Sequence, residues 1–197
     1  MRRADPTMAA GYRKFWAAMK GDLATVVRLD REFPEAWAPG LGSGSGSPAD
    51  FAWNNAVVLA AQGDLAGARK RVAKYPAELR ARLVSEPQNV VVLGQLAQIE
   101  ALLGHNELAL AAAQQARAIL PESVDSLSGR GPHIALAVVL AWTGDKAAAC
   151  AELRSLLATG GQPNVHALKN GPTFFPLKGY PAFEALLTDP KNNQPLF

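Results

Sequence analysis

Apolar positions along the chain recur at the three- and four-residue intervals of amphipathic helices, and the helical runs come in pairs joined at a glycine. The clearest pair lies between Val90 and Pro121 and turns at Gly104, with the small residues Ala97, Ala109 and Ala116 where its two helices would touch. An earlier pair carries Met8, Tyr12, Phe15, Trp16 and Met19 at helical spacing, turns at Gly21-Asp22 and ends at Pro34. The next starts at Ser47-Pro48-Ala49-Asp50, which reads as an N-cap serine, a first-turn proline and an acidic third residue. It turns at Gly63-Asp64 and returns to Pro76, after which residues 76–86 add a short amphipathic helix before Pro87. The last pair turns at Gly144-Asp145.

These four glycines fall 42, 41 and 40 residues apart, and the first two turns share the run Gly-Asp-Leu-Ala. An internal period of this length predicts stacked helical hairpins rather than one irregular bundle. The pattern divides the chain into a divergent N-terminal hairpin (1–37), a Gly/Ser loop flexible by composition (38–48) and three hairpins (49–160). A Pro/Phe-rich cap (161–190) and a frayed tail (191–197) complete it. In the cap only residues 181–187 read as helix, while Phe174, Phe175 and Leu177 are expected to plug the open end of the last hairpin. The predicted fold is all-α, an α-solenoid of about four hairpins with a Pro-rich C-terminal cap.

Composition sharpens this only slightly. Hydrophobic residues make up 49% of the 197, aromatics only 7%, and the excess is alanine, which favours helix over strand. The net charge of +3 leaves 20 basic and 17 acidic residues nearly balanced, so charge gives no argument for nucleic acid. Cys150 is the only cysteine, which excludes an internal disulfide and a multi-cysteine metal site. No uninterrupted apolar stretch is long enough to span a bilayer, and the first residues lack the apolar core of a signal peptide. A cytoplasmic protein is expected, or a periplasmic one if the chain is part of a membrane-anchored regulator.

The hairpins resemble the tetratricopeptide repeat. The third supplies Leu93, Leu96-Ala97, Gly104, Ala109, Ala116 and Pro121, and Pro87 to Pro121 is the 34-residue period of that family. The fourth supplies Leu136-Ala137, Gly144 and Ala149, and the second Ala56, Gly63 and Ala68. Ala113 stands where an aromatic residue is usual, and the glycine spacing exceeds 34. The tail is similar to the segment that closes such repeats in large bacterial regulators: Ser/Thr protein kinases, adenylate cyclases and winged-helix regulators. Leu168, Pro172, Phe174, Pro176, Leu177, Lys178, Pro181, Phe183, Leu186 and Leu187 match its frame, while Gly171, Phe175 and Tyr180 replace its acidic positions. The resemblance covers residues 50–188, and 8–34 loosely. It implies a non-catalytic interaction module, a scaffold or sensor, that binds a peptide or helix in a concave groove. The alternative is a structural or oligomerisation element of a larger assembly.

Laid onto this chain by its turn glycines, the groove positions of that family fall on Tyr12, Phe15, Trp53, Asn54 and Val57, followed by Val91, Gly94, Gln98, Ile134 and Val138, which the resemblance implies as the groove. That surface is apolar and lacks the cationic clamp some family members use on a peptide carboxylate, so a hydrophobic segment is the expected ligand. Trp53 and Phe15 are equally well read as core. No phosphate-binding loop is present: the run Gly-Leu-Gly-Ser-Gly-Ser-Gly-Ser lacks the terminal Lys-Ser/Thr and a preceding strand. His105, His133 and His166 are scattered, so neither metal nor cofactor is expected, and Cys150 reads as a small core residue. Arg69, Lys70, Arg71, Lys74, Arg80 and Arg82 form a basic cluster without interleaved aromatics, which reads as a solvated face. The expectation is a protein that is not an enzyme and has a protein or peptide partner. Self-association is a further possibility; nucleic acid is not expected as a partner, nor a membrane within this chain.

Overall fold

Glycine in the left-handed region makes each predicted turn: Gly21, Gly63, Gly104 and Gly144 have φ between +73° and +96°. A Cβ at Gly144 would meet nothing within 4 Å, so the requirement there is purely conformational. In three of the four turns the following aspartate caps the next helix. Asp22, Asp64 and Asp145 accept from the backbone N–H of Thr25, Gly67 and Ala148 at 3.0, 2.8 and 3.0 Å.

The structure, a computed structural model, describes residues 6–33, 36 and 47–193, so the 38–48 loop lies almost wholly outside the described residues. Among these the protein is all-helical. Helices α1 (Pro6–Met19) and α2 (Leu23–Glu32) form the first hairpin. The next is α3 (Pro48–Ala61) and α4 (Leu65–Val72), followed by α5 (Tyr75–Ser85). Helices α6 (Val90–Leu103) and α7 (Asn106–Ile119) come next, then α8 (Arg130–Thr143) and α9 (Lys146–Ala158). The cap holds α10 (Val165–Asn170), a 3-10 turn at Phe175–Leu177, and α11 (Pro181–Thr188). The start of α3 has the anticipated capping box, Ser47 Oγ taking the Asp50 N–H at 3.2 Å. Helix α10 is absent from the sequence reading; Asn164 caps it by accepting from the Ala167 N–H at 2.9 Å.

The two helices of each hairpin pack on each other, and hairpins meet in chain order: α2 on α3, α3, α4 and α5 on α6, and α6 and α7 on α8. Ala97 and Ala101 of α6 bury against Ala109, Ala112 and Ala113 of α7 together with Leu136 and Val139 of α8. At the far end Phe174, Leu177, Phe183 and Leu186 are buried in the main core, as a plug over the last hairpin requires. Trp142 fastens this plug. Its ring meets Trp53 and Phe175 edge-on, each at 5.8 Å, and its indole N–H donates to the Thr173 carbonyl at 2.8 Å. Helix α10 also meets α1, so the first described helix touches the cap.

The first hairpin is tied in by charge. Lys14, fully buried, donates to Asp30 at 3.2 Å and to the carbonyls of Phe33 and Ala36 at 3.0 Å each. Arg71 of α4 reaches the other oxygen of Asp30 at 2.6 Å, bridging two hairpins. Asp30→Ala removes the carboxylate that Lys14 and Arg71 share and is expected to cost about 3 kcal/mol in urea unfolding. Gly144→Ala is expected to cost about 1–2 kcal/mol and Gly144→Asn less, because asparagine tolerates the left-handed conformation; equal costs would contradict the conformational argument.

Candidate functional site

Helices α6 and α8 lie side by side, and residues one helical turn apart on each face a common cavity of about 400 Å³. Val91, Gly94 and Gln98 come from α6, and Ile134, Ala135 and Val138 from α8. Gly94 and Ala135 set its depth: a Cβ on Gly94 would sit 3.5 Å from the Ala135 Cβ, an ordinary contact that leaves no room to spare.

Two further walls come from outside the repeats. The loop between α7 and α8 contributes Leu127 and Ser128, and the cap contributes Pro163, Leu168, Thr173 and Phe174. Asp125 shapes the loop wall by accepting from the N–H groups of Leu127 and Ser128 at 2.9 and 2.8 Å. These bonds, the Ser128 N–H first, hold its carboxyl below the ordinary aspartate range. Gly129 closes the loop, since a Cβ there would lie 2.6–2.7 Å from backbone atoms of Pro121, Glu122 and Asp125. Arg130 then fastens the cap wall, donating to the carbonyls of Gln162 and Leu156 and to Thr159 Oγ1, the last at 2.7 Å.

A buried polar chain braces the same corner from behind. His133 has Nδ1 at 2.8 Å from Glu122 and Nε2 at 2.7 Å from Glu152. Arg130 and Arg117 neutralise those glutamates, at 3.4 and 2.8 Å. His133 therefore joins the loop, α8 and α9, and is not part of the cavity lining.

Of the positions anticipated for a groove, Val91, Gly94, Gln98, Ile134 and Val138 share this cavity. Trp53, Asn54 and Val57 do not; they are 2%, 4% and 0% exposed and offer a partner no surface. Their helix is enclosed because α2, α4 and α6 pack around it, and Trp53 stacks on Trp142. Asn54 Oδ1 and the Trp53 indole nitrogen are buried there without a hydrogen-bond partner. Tyr12 is 55% exposed on α1 and is not among the lining residues; the Phe15 side chain lies outside the described residues. The sequence reading missed Leu127 and Leu168, although an isolated leucine in the polar run 122–129 was a visible signal.

The rest of the surface offers little chemistry. Burial pushes the Cys150 thiol pKa up, against a weaker opposing pull from Arg154, which disfavours the nucleophilic thiolate. The basic cluster is largely consumed in pairs: Arg71 with Asp30, Arg80 with the buried Glu100, Arg82 with Glu86 and Lys74 with Glu78. Arg69 donates to the Leu102 carbonyl at 3.0 Å. His105, itself exposed, also holds Glu100, at 2.6 Å. Among the described residues no group of three or more His, Cys, Asp or Glu is placed to hold a metal, and no helix is long and apolar enough to cross a membrane. Comparison with family models, with curated proteins and with solved structures returns no match.

Two variants test this description. Asn54→Leu, which removes an orphaned buried oxygen, is expected to leave the melting temperature unchanged or raise it; a clear drop would mean Asn54 has a polar role. Because the Asp125 pKa is lowered in the folded state, its contribution holds above the ordinary aspartate range and is lost as pH falls through the lowered value. Amide exchange corrected for intrinsic rates should show Leu127 and Ser128 losing protection over that acid range, and Asp125→Ala losing it already at neutral pH.

Proposed function

We propose that the chain is a non-catalytic binding module, an α-solenoid of tetratricopeptide-like hairpins, that takes an apolar segment of a protein partner into the cavity between α6 and α8. The observation that carries this reading is the cavity itself. Val91, Ile134, Val138, Leu168 and Phe174 make it apolar, and no charged residue is among the described residues lining it. The chain-order packing of hairpins through left-handed glycine turns and the buried apolar plug support the repeat reading. The likeness of the tail to the closing segment of bacterial regulators supports a scaffold or sensory place within a larger signalling protein.

The cavity is small for a helix. One helical turn with side chains occupies about 400–600 Å³ (10–12 Å across, 5.4 Å long), so anchoring side chains enter while the rest of the segment lies across the mouth at Val91 and Leu127. Selection from a displayed random-peptide library should enrich sequences with bulky apolar residues. Binding of those peptides should fall at least about tenfold in Val91→Glu, whose side chain sits at the mouth and is 38% exposed. Selected peptides that bind this variant equally well would move the site elsewhere.

The second reading, an element through which copies of the chain associate, rests on α1, where Tyr12 and Trp16 are 55% and 60% exposed one turn apart. It requires a mass that rises with concentration and falls back in Trp16→Ala.

A further inference from the structure

On α6, Gln98 is the amide that lines the cavity. The residue is 95% buried, being 5% exposed, and lines the cavity, yet its side-chain amide makes no hydrogen bond to any described residue. Its neighbour Gln95, one turn back on α6, donates to Ser47 Oγ at 2.9 Å. The two amide atoms of Gln98 are not sealed from solvent, so they open onto the cavity, where water or a ligand answers them. Val91, Ile134, Val138 and Phe174 line the cavity with Gln98, beside the uncharged polar residues Ser128, Gln162 and Thr173, and the described lining contains no Asp, Glu, Lys, Arg or His. The volume, about 400 Å³, falls in the range of pockets that enclose small molecules. Four separate elements wall it, including the cap and the Asp125-ordered loop.

We infer that the cavity is a binding site for an uncharged, largely apolar small molecule that carries one hydrogen-bonding group directed at Gln98. Carboxylate, phosphate and ammonium groups are disfavoured inside, because burying a charge with no counter-charge costs far more than the apolar contacts return. The amide of Gln98 donates and accepts, so a hydroxyl, carbonyl or amide on the ligand, or the N–H of an uncharged arylamine, can pair with it. This goes beyond the partner-segment reading and does not rest on it. The two occupants share Val91 and Ile134, so a ligand bound inside displaces a segment from the mouth.

The test uses the full chain and N-phenyl-1-naphthylamine, a neutral fluorescent probe whose naphthyl and phenyl groups are joined by a single N–H. Saturable binding of one probe per chain is expected. Val91→Trp and Ile134→Phe, which fill the cavity, should each weaken it at least about tenfold while leaving the circular dichroism unchanged. Its sulfonated relative, 8-anilinonaphthalene-1-sulfonate, should bind at least about tenfold more weakly than the neutral probe. In displacement assays 1-benzylnaphthalene, with CH2 in place of N–H, should bind about threefold or more below the amine, and Gln98→Leu should abolish that preference. Absence of saturable binding overturns the inference. So does equal binding of the sulfonate, or a preference for the amine that survives Gln98→Leu. Peptides that bind at Val91 while the probe does not would sink this inference and leave the partner-segment reading intact.

Discussion

Helices that face each other with alanine hold together only when their backbones come close. Each methyl buries little area, so the attraction between α6 and α7 through Ala97, Ala101, Ala109, Ala112 and Ala113 depends on many short contacts made at once. Separation therefore has to be fixed before packing can stabilise anything. The left-handed glycine turns do this: each reverses the chain over two or three residues, and aspartate caps at three of them hold the orientation of the returning helix. Every surface the hairpins present follows from that spacing, including the parallel faces of α6 and α8.

A row of alanine-packed hairpins ends with an unsatisfied apolar face, and the protein covers it with aromatic mass. Trp142 is central: edge contacts to Trp53 and Phe175 and the bond to the Thr173 carbonyl join the second hairpin, the fourth and the cap. The same joint holds the segment from Pro163 to Phe174, which lines the cavity beside α6 and α8. Charged groups are kept to the outside and the joints. Arg130, Glu122, His133, Glu152 and Arg117 hold the loop against α8 and α9, and none of them enters the cavity.

The glycine period and the N-cap at Ser47 made the hairpins readable, because turns and caps are local chemistry written in adjacent residues. Val91, Gln98, Ile134 and Val138 were readable through the resemblance, whose groove positions, counted from the turn glycines, fall on one face of α6 and α8. Trp53, Asn54 and Val57 obey the same arithmetic yet lie in the core, because which side of α3 is covered depends on α2, α4 and Trp142, all distant in sequence. The cap was readable as an apolar plug but not as a cavity wall. Its six-residue helix α10 is too short to show a period, and the position of Leu127 depends on how Asp125 folds its own loop.

The meeting of α1 with α10 sets this molecule apart from an open-ended row of modules. In an open row, tandem duplication of an internal unit lengthens the stack and leaves every junction intact. Here an added hairpin would pull α1 away from α10, so growth by duplication carries a penalty that a linear array does not impose. The α1–α10 contact thereby adds one more junction that such a duplication would have to break.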